Sequence, residues 1–480
     1  MRPDTVKKMA LNFAEDLFAT SRKNKNLDEP KKELLRWHYR LGHIGLRTVQ
    51  FLFRTGALAT TQAMRRLHKR AANITPAEMP RCAACQFGKQ TNRVIPGTIR
   101  KAIEKRKGVM SADKLLPGER VYVDHFNCAA RGRLFTGDGK YNYDVDVKRT
   151  RDINNSYCGG VVLVDAATGH IGVEFQTVLT QEETIKAIQK YEDKAKDYGI
   201  IVKEYHFDNA GAFKSKLLSK RLKRNDQDSR YSGPGSHHQN GRAERAIRTI
   251  MAMARTMLIH QAAHWSQKLD TTTETSRWPM AVQLATHIYN HVPKIENGLT
   301  PHELWTRTKE PVGKLNNLHV FGCPVYVLKK SIADGKKIPR WENRSVRGMY
   351  MGISEKHAGD VPLVLNTETG RITPQWNIIF DDWFSTITMK EEDLPDFYSP
   401  EWSETFKTNT YTIPNEDDDA EDFAPVRPSR PSLRWGPRAT DEDYSDKTLQ
   451  QSHRALTQPH QRLKPIRPVS YTHLTLPTKA

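Results

Sequence analysis

The chain runs to 480 residues and carries 75 Lys+Arg against 55 Asp+Glu, a formal net charge of +20. That length accommodates two to four domains, and the surplus of positive charge points to a polyanionic partner, most simply nucleic acid. No apolar run is long enough to span a bilayer, the first residues lack the apolar stretch of a signal peptide, and the five cysteines, three of them isolated, argue against a disulfide framework and for a reducing compartment.

The charge is concentrated at the front: residues 1–118 hold 25 Lys+Arg against 9 Asp+Glu. A solubilising basic surface is the plainer explanation of that excess. Residues 1–30 form an unassigned polar leader in which Leu11–Phe18 has the pattern of a short helix. In residues 31–95, His38-x4-His43 is followed by Cys82-x2-Cys85, four residues of the types that bind zinc tetrahedrally. Positions five apart on a helix lie about 140° out of line, so a shared metal requires the helix to break between the histidines, and Gly42 permits that. Two ordinary histidines near a redox CxxC are the alternative, which the lack of a βαβ pattern around Cys82 weakens. A closed four-ligand site of this kind is structural rather than catalytic. Residues 96–118, with Pro96-Gly97, Lys105-Arg-Lys107 and Pro117-Gly118, read as a basic linker; the Lys/Arg run either serves nuclear import or is only linker.

From Glu119 to residue 300 the pattern is α/β. Strands are expected at Arg120–Phe126, Tyr157–Val164, His170–Phe175 and Ile200–Phe207, the first three antiparallel. Helices are expected at Glu182–Tyr198, stopped by Gly199, at Ala212–Lys223, from a cap at Asn240 to about His260, and at Trp278–Tyr289. The third helix has the apolar stripe Ala243, Ile247, Ile250, Met251, Ala254, Met257 and Leu258. Residues 131–156, rich in Arg, Asp, Gly and Asn, are a polar insertion.

Three acids stand out on this scaffold. Asp124 and Asp208 close apolar β runs, and Glu244 lies in a helix after the glycine loop Ser232-Gly-Pro-Gly-Ser236. Carboxylates gathered without a basic partner repel one another unless divalent cations bind between them, and two such cations can clamp the attacking and leaving oxygens of a phosphodiester. With 55 acids in the chain, spacing alone would make the trio accidental; the strand-end context argues against that. Asp165 competes for the first aspartate's role, but Asp165-Ala-Ala-Thr-Gly169 suits a hairpin cap. Arg242, Arg245, Arg248 and Arg255 share the helix of Glu244 and are either phosphate contacts or a solvated basic face. His237, His238, Gln239 and Asn240 form a polar loop that either orders over DNA or is only a loop. Beyond Pro311, short strands at Val320–Leu328, Val346–Gly352, Pro362–Leu365 and Asn377–Phe380 suggest a small barrel or sandwich over 311–385. Residues 386–480, with the acidic run Glu416–Asp422, have the composition of a disordered tail, and Ser470–Ala480 continues no domain.

Together, from about Leu34 to about Asp382, these residues resemble the integrase section of a Copia-type LTR retrotransposon polyprotein. Trp37-His-Tyr-Arg-Leu-Gly-His43 with Cys82-x2-Cys85 resembles the zinc-binding pre-integrase domain. Asp208-Asn209 and Gln239-Asn-Gly-Arg-Ala-Glu-Arg245 resemble the second and third acidic motifs of the catalytic core, and Thr300–Trp305 with His319–Cys323 resembles the segment after it. The resemblance implies an RNase H-like α/β core over 119–300, preceded by a helical zinc domain and followed by an SH3-like β-barrel. It implies catalytic Asp124, Asp208 and Glu244 binding Mg²⁺ (or Mn²⁺), and Zn²⁺ on His38, His43, Cys82 and Cys85. Arg242, Arg245 and Arg248 are assigned to DNA. The family's second motif usually continues Gly-Gly-Glu-Phe; here Ala210-Gly-Ala-Phe213 lacks that glutamate, and 83 residues separate Asp124 from Asp208. The implied activity is joining of element 3′ ends to double-stranded target DNA by two-metal transesterification. The implied setting is a homo-oligomer cut from a larger polyprotein, first in a cytoplasmic particle and then in the nucleus, without a membrane. A binding-only relic and an RNase H-like nuclease are the alternatives.

Overall fold

The computed structural model describes residues 28–90, 115–134, 156–233, 240–265, 276–310, 314–339, 341–357, 361–367 and 369–387. The expected helix at 11–18, the run Lys105–Lys107, the insertion past 134, His237, His238 and Gln239 of the polar loop, and the tail past 387 lie outside the described residues.

Four helices open the fold: α1 (Glu29–Arg40), α2 (Leu46–Thr55), α3 (Gln62–Ala72) and α4 (Ala83–Gly88). The Asp28 side chain caps α1 by accepting from the Lys31 N–H, and Pro30 sits in its first turn, where a missing N–H costs nothing. Thr61 caps α3 through the Met64 N–H.

Next come β1 (Val121–Arg133), β2 (Ser156–Asp165), β3 (Ile171–Gln176), α5 (Gln181–Lys196), β4 (Glu204–Phe207), α6 (Lys216–Arg224), β5 (Asp228–Tyr231), α7 (Gly241–His264), α8 (Trp278–His291) and α9 (Pro301–Thr306). The five strands form one sheet in the order β3-β2-β1-β4-β5. β1, β2 and β3 are antiparallel neighbours, and β4 and β5 are parallel to β1. An antiparallel meander extended by two parallel strands that return through helices is the RNase H-like arrangement. β1 runs past its expected end at Phe126, with an irregularity between Asn127 and Gly132, so the polar segment begins after the strand rather than at 131. The fourth strand is shorter than expected, and β5 has no counterpart in the sequence reading: its four residues are exposed and are held by backbone pairing to β4.

Side-chain alternation gives the sheet two apolar faces. Val121, Val123, Val161, Leu163, Tyr205 and Phe207 pack against α5 and α6 through Ile188, Tyr191, Leu218 and Leu222. Phe126, Val162, Val164 and Ile171 face the other way, onto α7 and α8. That second core continues without a break into the front helices (Leu34, Trp37, Leu52) and into the C-terminal strands (Val325, Met349, Tyr350). The C-terminal strands β6 (Pro324–Leu328), β7 (Ser345–Ile353), β8 (Pro362–Asn366), β9 (Ile372–Pro374) and β10 (Ile378–Phe380) make an antiparallel sheet in the order β10-β6-β7-β8-β9. This is a β-rich unit after the core, as expected, but it carries a short helix, Lys330–Ala333, between β6 and β7; β9 is the strand the sequence reading omitted. Among the described residues no helix is long and apolar enough to cross a membrane.

Two glycines let the front helices approach the core closely. Gly88, ending α4, lies so near α7 that a Cβ would stand 2.4 Å from the Thr256 hydroxyl and 3.0 Å from its backbone. Gly42 has φ +59°, and a Cβ there would meet Ile288 at 3.1 Å. Arg40, at the end of α1, is buried and spans to the C-terminal segment. It donates to the Leu318 and Asn316 carbonyls at 2.7 and 2.6 Å and pairs with buried Asp382 at 3.6 Å. Burial opposes ionisation of Asp382, but His319 and Arg40 outweigh it and hold the carboxyl below its ordinary value of 3.8. This contribution to stability is therefore complete above that value and is lost as pH falls through the lower folded one. Arg40→Ala removes the donor to the Leu318 and Asn316 carbonyls and leaves Asp382 with His319 and the Val320 N–H; a loss of about 1–3 kcal/mol is expected, measured as a shift in the denaturant midpoint.

Candidate functional site

The zinc-type residues meet where α1 ends. After Arg40 the backbone turns through Gly42 (φ +59°) and His43 (φ +61°), so the helix does break between the histidines. A left-handed non-glycine residue is uncommon and is tolerated here because the surroundings fix it. The break swings His43 under His38, their ring centroids 5.0 Å apart, and α4 brings Cys82 and Cys85 to the pair. The four ligand atoms all lie within 4.8 Å of one another. Cys85 Sγ is 3.3 Å from His38 Nε2 and 3.8 Å from His43 Nδ1, and Cys82 Sγ is 3.4 Å from His43 Nδ1. Bond lengths to zinc imply a sulfur–nitrogen edge of roughly 3.6 Å in a tetrahedron, so the spacing fits.

The protonation chemistry fits as well. His38 Nδ1 is 2.6 Å from the Ile44 carbonyl and must donate to it, which leaves Nε2 bare toward the cysteines. Burial pushes His43 down to about 4, so it is neutral as a ligand must be. The hydrogen bond from Cys82 drives Cys85 toward the thiolate against the effect of burial. His260 of α7 packs 4.8 Å from the His43 ring and 4.6 Å from Tyr39, closing the site against the core.

The acidic residues lie on the sheet. β1 and β4 run parallel with Val123 opposite Phe207, the last paired positions; Asp124 follows inside β1 and Asp208 is the first residue past β4. Val123 and Phe207 point to the α5 side. Alternation therefore turns Asp124 to the other side, the one that α7 covers, as it does Tyr122 and His206, whose rings are 4.9 Å apart, while Asp208 Oδ1 accepts from the Ala210 N–H at 3.0 Å. Glu244 lies in the first turn of α7. Asn240 does not cap that helix as expected. Its buried side-chain amide instead donates to the Val123 carbonyl at 3.0 Å, tying the helix start to the strand beside Asp124. All three acids are half-buried, and among the described residues neither Asp208 nor Glu244 enters an ion pair. Their oxygens do not gather within 4.8 Å as the zinc-type ligands do. Carboxylates that share two cations roughly 3.5–4 Å apart are spread more widely than ligands of one ion.

Asp165 is spent elsewhere. Its carboxylate accepts from the Gly118 N–H and from the backbone and hydroxyl of Thr168 at 2.7–2.9 Å, and burial raises its pKa. It pairs with Val121, the first residue of β1 and three positions before Asp124. The arginines of α7 divide. Arg245 and Arg248 are exposed, whereas half-buried Arg242 donates to the Ala166 carbonyl and lies 5.6 Å over the Tyr122 ring. Arg255 donates to the Gly88 carbonyl at 3.2 Å, joining α7 to α4. A second group, His291, His302 and Glu310, was not singled out in the sequence.

Comparison with known proteins agrees with the sequence resemblance. Residues 13–90 match the GAG-pre-integrase domain. A stretch of 325 residues, 67% of the chain, is 23% identical to the Retrovirus-related Pol polyprotein from transposon TNT 1-94 of Nicotiana tabacum. The match takes in 20% of that polyprotein, so the chain spans about a fifth of its curated relative. The chain thus resembles the integrase region of a Copia-type retrotransposon polyprotein. Among solved structures, the HTLV-2 integrase catalytic core domain in complex with magnesium is 16% identical, covering 40% of this chain and 98% of that one at a TM-score of 0.27. The simian T-cell lymphotropic virus intasome in complex with the PP2A regulatory subunit B56 gamma is also 16% identical, covering 69% and 98% at a TM-score of 0.29. The fold assignment rests on strand order and register, not on these superpositions.

Cys85→Ser is expected to lower zinc content by one equivalent per chain and to loosen residues 29–88. Metal analysis and amide exchange over α1–α4 read the two effects.

Proposed function

We propose that this chain is a retrotransposon integrase that joins the 3′ ends of element DNA to double-stranded target DNA, working as a homo-oligomer released from a longer polyprotein. The observation that carries the reading is the pair Asp124 and Asp208 one step beyond Val123 and Phe207, with the Asn240 bond to the Val123 carbonyl bringing the turn of Glu244 to the strand of Asp124. Two aspartates and a glutamate are hard oxygen donors suited to Mg²⁺ or Mn²⁺. Such ions, held by Asp124, Asp208 and Glu244, would offset charge developing on the phosphodiester oxygens.

The reaction is an in-line transesterification. The 3′-hydroxyl oxygen of the element attacks a target phosphorus, and a new P–O bond forms as the bond to the target's own 3′ oxygen breaks. The attacking hydroxyl gives up its proton and the departing oxygen gains one, so no net redox change and no covalent enzyme intermediate are involved. Where ends need trimming, water replaces the hydroxyl in the same geometry. Exposed Arg245 and Arg248, three apart on α7, are positioned to meet backbone phosphates beside Glu244, while Arg242 holds the helix to the sheet. The zinc-type site keeps the front helices folded, and residues 31–95, 119–300 and 311–385 act as zinc, catalytic and β-barrel sections. Integration places the working protein in the nucleus, after a stage in a cytoplasmic particle.

A branched DNA that mimics the joined product tests the site without knowledge of the natural ends. Wild-type chain with Mg²⁺ or Mn²⁺ should reseal it, and Glu244→Gln should abolish resealing while DNA affinity stays within about twofold. Unchanged resealing by the variant would overturn the role of Glu244. A wild type that binds DNA and zinc but never reseals would favour the binding-only relic, and one that only cuts RNA–DNA hybrid would favour the nuclease.

Arg245→Ala and Arg248→Ala should each weaken DNA binding and flatten the slope of log affinity against log salt by about 0.9 for each phosphate that is no longer neutralised. An unaltered slope would remove them from the DNA surface.

A further inference from the structure

The group formed by His291, His302 and Glu310 lies apart from both the zinc-type site and the acidic residues. His291 ends α8, His302 lies in α9 and Glu310 follows α9. Glu310 Oε1 stands 3.2 Å from His291 Nε2 and 3.9 Å from His302 Nε2, and the three ligand atoms lie within 4.8 Å of one another.

The hydrogen bonding behind these atoms sets what can lie between them. His291 Nδ1 is 2.7 Å from the His287 carbonyl, an acceptor only, so the ring proton belongs on Nδ1. Nε2 therefore faces the carboxylate oxygen at 3.2 Å, a separation that an Nε2–H ion pair spans with the ring doubly protonated and that a cation bound to both atoms spans with the ring neutral. His302 Nδ1 is 3.5 Å from His170 Nε2, and its Nε2 is the nitrogen that faces Glu310. An imidazole turned by a backbone carbonyl so that its other nitrogen faces a carboxylate and a second imidazole is the outer-shell pattern of a metal ligand. Bond lengths to zinc imply a nitrogen–oxygen edge of roughly 3.4 Å, close to the shorter of the observed separations. His291 is 8% exposed and the other two are half-buried, so the site is walled by protein on one side and open to water on the other.

We propose that His291, His302 and Glu310 form a second transition-metal site, for a zinc-class divalent ion, with water in the fourth position. Two imidazoles and one carboxylate are a zinc-type set with no thiolate. The ion would pin the end of α8 to α9 and to the segment leading to the 3-10 turn Lys314–Asn317. One observed group competes: Lys314 Nζ is 2.7 Å from the same Glu310 oxygen. Its side chain is 27% exposed and can swing into water when a divalent ion takes its place.

Cobalt(II) titration of the metal-stripped full chain tests the proposal, because cobalt reports its own ligands. The first site gives the intense near-ultraviolet band of cobalt–thiolate bonds; the second should add one equivalent with visible d–d bands and no thiolate band. His302→Ala and Glu310→Gln should each lose the second equivalent and keep the thiolate band, which also shows that the chain has folded. Lys314→Met should tighten the second equivalent by about tenfold, through removal of a competing charge. A single, cysteine-dependent equivalent in the wild type would overturn the proposal. So would a second equivalent that survives Glu310→Gln, since the ion would then be bound elsewhere.

Discussion

The structure depends on one shared wall, the helix Gly241–His264. Its first turn is fixed to β1 by the Asn240 amide, its middle packs Ala246, Ile250 and Met253 into the core, and its last third receives the zinc-type site through Thr256 and His260. A helix this long spans about 36 Å, enough to connect the strands of Asp124 and Asp208 to a zinc-type site elsewhere in the fold. Because the same helix contacts the sheet, the front helices and, through Trp265 just past its end, the C-terminal segment, its stripe is wider than an ordinary surface helix would need. That explains why Thr256, His260 and Gln261 are buried on it beside the expected Ala and Met positions.

The two ligand sets occupy this wall with opposite chemistry. Near one end are two cysteines and two imidazoles, a soft, closed set in which the Ile44 carbonyl orients His38 from behind. Near the other are only carboxylates, hard donors suited to ions that keep part of their water. The two sets differ in ligand type and lie on separate stretches of the sequence.

How much of this was legible in the sequence varied with the kind of interaction. The four zinc-type residues were legible because a local motif on each side fixes their spacing, and the broken helix at Gly42 follows from helix geometry alone. The aspartates were visible as acids within apolar β runs, but Asp124 does not end its strand, since β1 continues to Arg133, and Asp208 lies just past β4. Asn240 was misread as a cap because helix-start statistics do not reveal a strand carbonyl 117 positions away that competes for its amide. β5 was invisible because its Asp-Ser-Arg-Tyr has no apolar face and is made a strand only by pairing with β4. His291, His302 and Glu310, eleven and eight positions apart, belong to no short motif, and only the turn of the chain after α8 brings them together.

The tie from Arg40 to Asp382 has a consequence for how the chain is made. The partners lie 342 positions apart, so this contact contributes a long closing step to a front end that is otherwise local. On a ribosome adding about 5–20 residues per second, His38 to Cys85 can gather early, yet the guanidinium beside them waits roughly 20–70 s for its carboxylate. Through that interval the front helices carry a guanidinium held only by water and an uncovered apolar face. A nascent chain with those two features is a natural client for chaperones, and its vulnerable period closes only when the C-terminal strands arrive.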